Sequence, residues 1–269
     1  MTAYRLLVAD IDGTLVTTDR KITPRITQAV KQAQARGVRV CLATGRIWPS
    51  AEPYVRALGA DPPAILYNGG MIYDFVTGQV LRRVNLAHDH AKAVLEILRE
   101  IPQVQPHLYL GDRVYTARMN ETTDRYSRKD SLHVEEVGDL VAFLPQDPMK
   151  ILIIGPRASL ITVYERIAGL SLGINAVFSE ETYLEILPEG SSKGTALAEM
   201  TRALGIPLEA VIAVGDNLND LEMIRLAGLG VAMGNAPEEL RAQAGYVTVT
   251  NDEEGLAEVI HRFILEEAR

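Results

Sequence analysis

Cys41 is the only thiol in this 269-residue chain, so an internal disulfide is excluded. It lies in the apolar run Val38-Arg39-Val40-Cys41-Leu42, where a buried structural thiol is expected rather than a reactive one. Positive charge is also scarce. Lys and Arg number 27 against 35 Asp and Glu, a net charge of −8, which argues against a nucleic-acid partner because phosphate backbones are gripped by basic surfaces. No apolar run is long enough to span a bilayer: the uncharged stretch from Ile167 to Ser179 is too short and contains Asn175. The first residues reach Arg5 and Asp10 before a signal-like stretch can develop, so a soluble, cytoplasmic protein with no membrane partner is expected. The histidines do not cluster. His88 and His90 are two residues apart near a helix start, hence on different faces, and His107, His133 and His261 are isolated, so no zinc site is expected. Repeats and low-complexity tracts are missing as well.

What is present is organised around Tyr4 to Asp19, YRLLVADIDGTLVTTD. Its apolar first part, followed at once by Asp-x-Asp-Gly-Thr, reads as a buried parallel strand ending in a turn. Asp10 and Asp12 then stand at the carboxyl end of that strand, where open α/β sheets place their ligand crevices. Two carboxylates so close to an apolar strand need positive compensation, and a hard cation such as Mg²⁺ is a natural partner. Gly13 permits the sharp turn, and Thr14 offers a hydroxyl and an amide. Alone, Asp12-Gly13 would be an ordinary turn; the segments downstream give it weight.

Thr23-Pro24 reads as an N-cap and first turn, with a helix from about Arg25 to Arg36 that stops at Gly37. A second strand over Val38–Leu42 ends in Ala43-Thr44-Gly45-Arg46, a helix follows from about Ser50 to Leu58, and a third strand, Ala64 to Tyr67, precedes Asn68-Gly69-Gly70. This alternation specifies an α/β fold with a doubly wound, mainly parallel, Rossmann-like core sheet. From Met71 the rhythm changes. Short strands at Met71–Tyr73 and Val80–Arg82 flank a Thr77-Gly78 turn, and residues 84–187 read as an inserted α+β domain with ten basic and fifteen acidic residues. From Pro188 the α/β rhythm returns: Ser191-Ser192-Lys193-Gly194 opens a helix, and the strand Ala210–Val214 ends in Gly215-Asp216-Asn217-Leu218-Asn219-Asp220. The core domain is therefore expected to comprise residues 1–83 and 188–269.

Three apolar strands thus end in groups suited to a phosphate and a metal, and Lys193 adds a cation at a helix start, where backbone N–H groups already favour an anion. The four segments DxDGT, TGR, SKG and GDNxND, in this order, resemble the four motifs of the haloacid dehalogenase-like superfamily. With about a hundred residues between the second and third taken up by an insert, the chain is similar to the Cof-type phosphatases over nearly its whole length.

The resemblance implies a Mg²⁺-dependent phosphomonoesterase. Asp10 would be the nucleophile that forms an aspartyl-phosphate, and Asp12 would protonate the leaving alcohol and then deprotonate the attacking water. Metal ligands would be Asp10, the carbonyl of Asp12 and Asp216; Thr44, Gly45 and Asn219 would hold phosphoryl oxygens, Lys193 would neutralise charge, and Asp220 would orient Lys193 or a metal-bound water. Arg46, Asn68 and Glu185 are further candidates, each of which could contact substrate or merely cap a turn and meet solvent. The insert would act as a mobile cap over the site, with Glu185 near its return crossing reaching a sugar hydroxyl. The expected substrate is a small phosphorylated metabolite, foremost a sugar phosphate, handled by a monomer or weak homo-oligomer. A phosphomutase and a non-catalytic phosphoacceptor or sugar-phosphate sensor are alternatives; the first would conserve phosphate on the sugar, and the second would have no need of Asp12.

Overall fold

The computed structural model describes residues 4–170 and 172–266. These form two compact units: one made of the residues up to Arg46, Ala51–Arg82 and the residues from Ser192 onward, the other of Ile47–Ser50 and Arg83–Ser191. The strand Tyr183–Pro188 runs through the return point read from the sequence, and the division falls three residues beyond its end.

In the first unit Leu6–Ala9 is the second strand from one edge of a five-stranded parallel sheet, between Arg39–Leu42 and Val211–Gly215; Leu229–Ala232 and Tyr246–Val247 extend it on the far side. Every residue of Leu6–Ala9 is fully buried, which is why the strand is apolar throughout rather than alternating. Leu6, Val8, Cys41 and Val211 pack against Ala196, Leu197 and Met200 of the helix Lys193–Leu204. Helix Pro24–Ala35 starts where the Thr23 side chain accepts from Ile26 N–H at 3.2 Å, and it buries Ile26, Ala29, Val30 and Ala33 along one stripe.

The third expected strand does two things at once. Ala64–Leu66 runs parallel beside the second strand, joined through the bridge between Ala43 and Ile65, and it also heads a three-stranded sheet with Met71–Tyr73 and Val80–Arg83. Tyr67 has already left the strand, with φ at +53°.

The second unit is a six-stranded, mostly antiparallel sheet. Alternation along its strands splits it into two chemically different faces. Leu108, Leu110, Ile151, Ile153, Leu184 and Ile186 pack with the helices His88–Arg99 and Arg157–Ala168. Their neighbours His107, Tyr109, Lys150 and Glu185 point the other way. Tyr109 stands opposite Lys150 in the register, and the ammonium lies 4.8 Å from the ring centroid. Lys150 Nζ donates to Glu185 Oε2 at 2.7 Å, both side chains being buried. Removing either partner would strand a buried charge, at a cost on the order of 3–5 kcal/mol. The helix Glu121–Asp130 supplies Thr123, whose hydroxyl meets His107 Nε2 at 3.1 Å, and Tyr126, whose hydroxyl bonds that of Tyr109.

His107 is fully buried, and desolvation lowers its pKa from 6.5 to about 4. Between those two values the unfolded chain binds the proton and the folded one does not, so stability falls as pH drops from 6.5 toward 4 and the full contribution is present only above 6.5. The loss should reach about 3 kcal/mol for this residue. Urea midpoints at pH 7 and 4.5 check it: the drop in the wild type should shrink in His107→Gln.

Candidate active site

The strands Leu6–Ala9, Arg39–Leu42 and Val211–Gly215 are parallel neighbours, so their carboxyl ends bring Asp10, Thr44 and Asp216 to one edge of the sheet. Asp10 N–H donates to Val214 carbonyl at 3.0 Å, which fixes the residue to the adjoining strand as the chain turns away over Ile11–Leu15. Gly13 sits at φ +76°, and a Cβ there would run into the Asp216 carboxylate. Only glycine allows that approach. Thr14 Oγ1 then donates to Asp216 Oδ1 at 2.9 Å.

Lys193 opens its helix behind a capping box: Ser192 Oγ accepts from Thr195 N–H at 2.9 Å, and Ser192 N–H donates to Thr195 Oγ1 at 3.0 Å. Its ammonium is fully buried, donating to Asp10 Oδ1 at 2.8 Å and to Asp220 Oδ1 at 2.6 Å. Asp220 Oδ2 accepts from the Asp216 and Asn217 N–H groups at 3.0 and 3.1 Å, so this carboxylate holds both the lysine and the turn after the third strand.

Burial works against the charge on Lys193, yet Asp10 and Asp220 together raise its pKa above the ordinary value. Desolvation pushes Asp10 up to about 7 despite Lys193, with Asp220 and Asp12 adding repulsion. Asp216 is likewise raised, by burial first and then by the charges of Asp10 and Asp220. Carboxylate oxygens of Asp10, Asp216 and Asp220 lie within 4.8 Å of one another. Three carboxylates against one ammonium leave two negative charges uncompensated, and an oxygen-only donor set of this kind suits a hard divalent cation.

Asp12 points elsewhere. Arg46 grips its carboxylate with both arms of the guanidinium, Nε to Oδ2 and Nη2 to Oδ1, each at 2.7 Å. Arg20 stands 4.0 Å from Oδ1, and Tyr54 lies beneath Arg46 with its ring centroid 4.9 Å from Cζ. This fork is the strong, directional form of a charged hydrogen bond. Thr44 is buried and its hydroxyl accepts from Arg46 N–H at 3.1 Å, which closes the turn that carries Gly45. Asn219 Nδ2 donates to Asn68 Oδ1 at 3.0 Å.

The first unit therefore gathers Asp10, Asp216, Asp220 and Lys193 in one charged cluster, Asp12 with Arg46, Thr44 with Gly45, and Asn68 with Asn219. Glu185 belongs to the second unit, where Lys150 holds it. Arg46, Asn68 and Glu185 are all buried, so none meets solvent, as one reading of the sequence allowed. Arg20 and Tyr54 were missed. Arg20 sits in the charged loop Asp19-Arg20-Lys21, which reads as an exposed turn, and Tyr54 lies in a helix with no feature to mark it.

Residues 7–260 match the family of haloacid dehalogenase-like hydrolases. The 5-amino-6-(5-phospho-D-ribitylamino)uracil phosphatase YcsE of Bacillus subtilis is 30% identical over 97% of this chain and 96% of its own. The pyridoxal phosphate phosphatase YbhA of Escherichia coli is 27% identical over 97% and 99%. Among solved structures, a haloacid dehalogenase-like hydrolase from Bacteroides thetaiotaomicron superposes with a TM-score of 0.85 at 32% identity, covering 96% of this chain and 99% of that one. With the family match over nearly the whole chain and the fold in agreement, the chain belongs to the haloacid dehalogenase-like hydrolases, in their Cof-type branch.

Proposed function

We propose that this protein is a Mg²⁺-dependent phosphomonoesterase that works through an aspartyl-phosphate on small phosphorylated metabolites, foremost sugar phosphates. The observation that carries the reading is the buried Lys193 bridge between Asp10 and Asp220, beside Asp216. Named relatives that hydrolyse pyridoxal phosphate and a ribitylaminouracil phosphate support a small substrate.

Asp10 attacks phosphorus as a carboxylate; a bond forms from its oxygen, and the bond from phosphorus to the substrate oxygen breaks. The leaving alcohol oxygen takes a proton from Asp12. Asp12, now a carboxylate, takes a proton from water, whose oxygen attacks the aspartyl-phosphate, releases inorganic phosphate and restores Asp10. Thr44, Gly45 and Asn219 hold phosphoryl oxygens, and Lys193 stabilises the charge that builds on them. Asp10, Asp216 and the Asp12 carbonyl would hold Mg²⁺, which supplies charge neutralisation between the carboxylate and the phosphoryl group. Asp220 keeps Lys193 in place. Arg46 aims Asp12, and one arm of its fork has to loosen whenever an Asp12 oxygen carries the proton.

Asp10→Asn should fold normally and lose about 10⁴- to 10⁶-fold in turnover, since an amide cannot attack phosphorus. Steady-state rates against a panel of sugar, nucleotide and cofactor phosphates test this, and activity within tenfold of wild type would refute the assignment.

Exhaustive EDTA treatment should abolish activity and Mg²⁺ should restore it, while Ca²⁺, with longer and looser coordination, should inhibit. Undiminished turnover in EDTA would contradict the metal requirement.

Arg46→Ala should slow hydrolysis of alkyl phosphates by about 10²-fold, and release of nitrophenolate in the first turnover of nitrophenyl phosphate much less, because that leaving group departs without a proton. Equal losses in stopped-flow measurements on both substrates would show that Arg46 does not act through Asp12.

A further inference from the structure

The backbone after Ala64–Leu66 is unusual. Tyr67, Asn68 and Gly69 have φ of +53°, +51° and +97°, three successive residues in the left-handed region. Asparagine and glycine visit that region readily, and a buried tyrosine does not. Such strain persists only where surrounding contacts over-determine it, and here they do. Tyr67 N–H donates to Arg46 carbonyl at 3.1 Å and Asn68 N–H to Thr44 carbonyl at 3.0 Å, so the turn is stitched to the loop of the second strand. A Cβ at Gly69 would overlap the Ser192 carbonyl, so the same turn presses on the start of the Lys193 helix.

Asn68 is the residue that this strain presents. It is buried, and its side chain lies flat against Gly45, close enough that a Cβ there would come within 2.9 Å of Nδ2. Oδ1 accepts from Asn219, next to Asp220. Nδ2 has no hydrogen-bond partner, and neither has Asn219 Oδ1. A buried amide donor without a partner is costly, and a ligand that accepts a hydrogen bond removes the cost.

We propose that Asn68 is a phosphate-holding residue outside the four recognised segments, its Nδ2 donating to a phosphoryl oxygen while its Oδ1 fixes Asn219 between the Gly45 loop and the turn that carries Asp220. The proposal rests on the phosphatase reading for its ligand. The left-handed turn serves to place this donor, and the two asparagines act as a linked pair.

Two variants separate the amide from the turn. Asn68→Gly keeps the left-handed backbone and removes the amide; Asn68→Asp keeps the shape and the acceptor for Asn219 but loses the donor. For the full chain with Mg²⁺, the measurements are affinity for inorganic phosphate by calorimetry, kcat/KM on the best phosphomonoester found, and the thermal midpoint. Asn68→Gly should melt near the wild type and Asn68→Asp, which buries a carboxylate, below it; both should bind phosphate at least tenfold more weakly and lose about 10²-fold in kcat/KM, the scale for one donor to a developing oxyanion. If either folded variant stays within threefold of wild type in both phosphate affinity and kcat/KM, the amide donor has no such role. Should Asn68→Gly fail to fold, Asn68→Asp decides by the same thresholds. A wild type that binds phosphate yet hydrolyses no monoester would overturn the phosphatase reading alone, with Asn68 still judged by affinity; a wild type that binds no phosphate would overturn both.

Discussion

A buried ammonium between two carboxylates is the constraint on which the site depends. Lys193 reaches Asp10 on one side and Asp220 on the other, and removing the lysine would leave both carboxylates uncompensated in a desolvated place. Such an imbalance costs on the order of 3–5 kcal/mol, so the trio resists drifting apart. Because Asp10 follows the first strand, Lys193 opens a helix and Asp220 closes the turn after a third element, one ammonium fixes three pieces of chain. The cluster is also deliberately unbalanced. Burial first, and then the surplus of negative charge, raises Asp10 and Asp216, and a divalent cation would relieve both.

Close approach is the second constraint, and backbone rather than side chains satisfies it. Gly13 lets the Asp216 carboxylate come near the first turn, and Gly69 lets the left-handed turn rest on Ser192. Rigid parallel strands supply the anchorage that holds Tyr67 in a conformation it would otherwise avoid. In the second unit the same economy of position appears in another form. Strand alternation sends every second residue of the sheet to a polar face, where His107, Tyr109, Lys150 and Glu185 satisfy one another or the helix Glu121–Asp130.

Much of this could be read from the sequence, for identifiable reasons. Asp10, Thr44 and Asp216 were legible because short, uninterrupted apolar runs announce doubly buried strands, and the polar residue that ends each run marks the carboxyl edge. Lys193 was legible only in company: a lysine at a helix start is ordinarily solvated, and the three companion segments gave this one its weight. The partners of these residues were not. Nothing local tells that Arg46 forks onto Asp12, thirty-four positions away, or that Arg20 stands near the same carboxylate. Glu185 read as a solvent- or substrate-facing acid, because its pairing with Lys150 is a property of strand register. Ala64–Leu66 read as a third parallel strand from the strand–helix alternation, and it does bridge the second strand in parallel; that it also heads a small antiparallel sheet is not something alternation can tell. Val134–Glu136 passed unnoticed, being three residues long and two-thirds acidic.

The pairing of Leu6–Ala9 with Val211–Gly215 carries a consequence for how the molecule comes into being. The first strand leaves the ribosome with one neighbour, Arg39–Leu42, following soon after; the other arrives only when nearly four-fifths of the chain has been made. Until then its fully apolar surface needs shelter, and Asp10 at its end has neither Lys193 nor Asp216 and Asp220 beside it. Loop-closure entropy grows only slowly with length, so the delay is a matter of time more than of equilibrium. The intervening Arg83–Ser191 unit has a hydrophobic core of its own and can condense first, turning a long floppy loop into a short effective one. Catalytic competence is thereby tied to completion of synthesis: a truncated chain that has lost the last strands displays an aspartate at a strand end, and no active site.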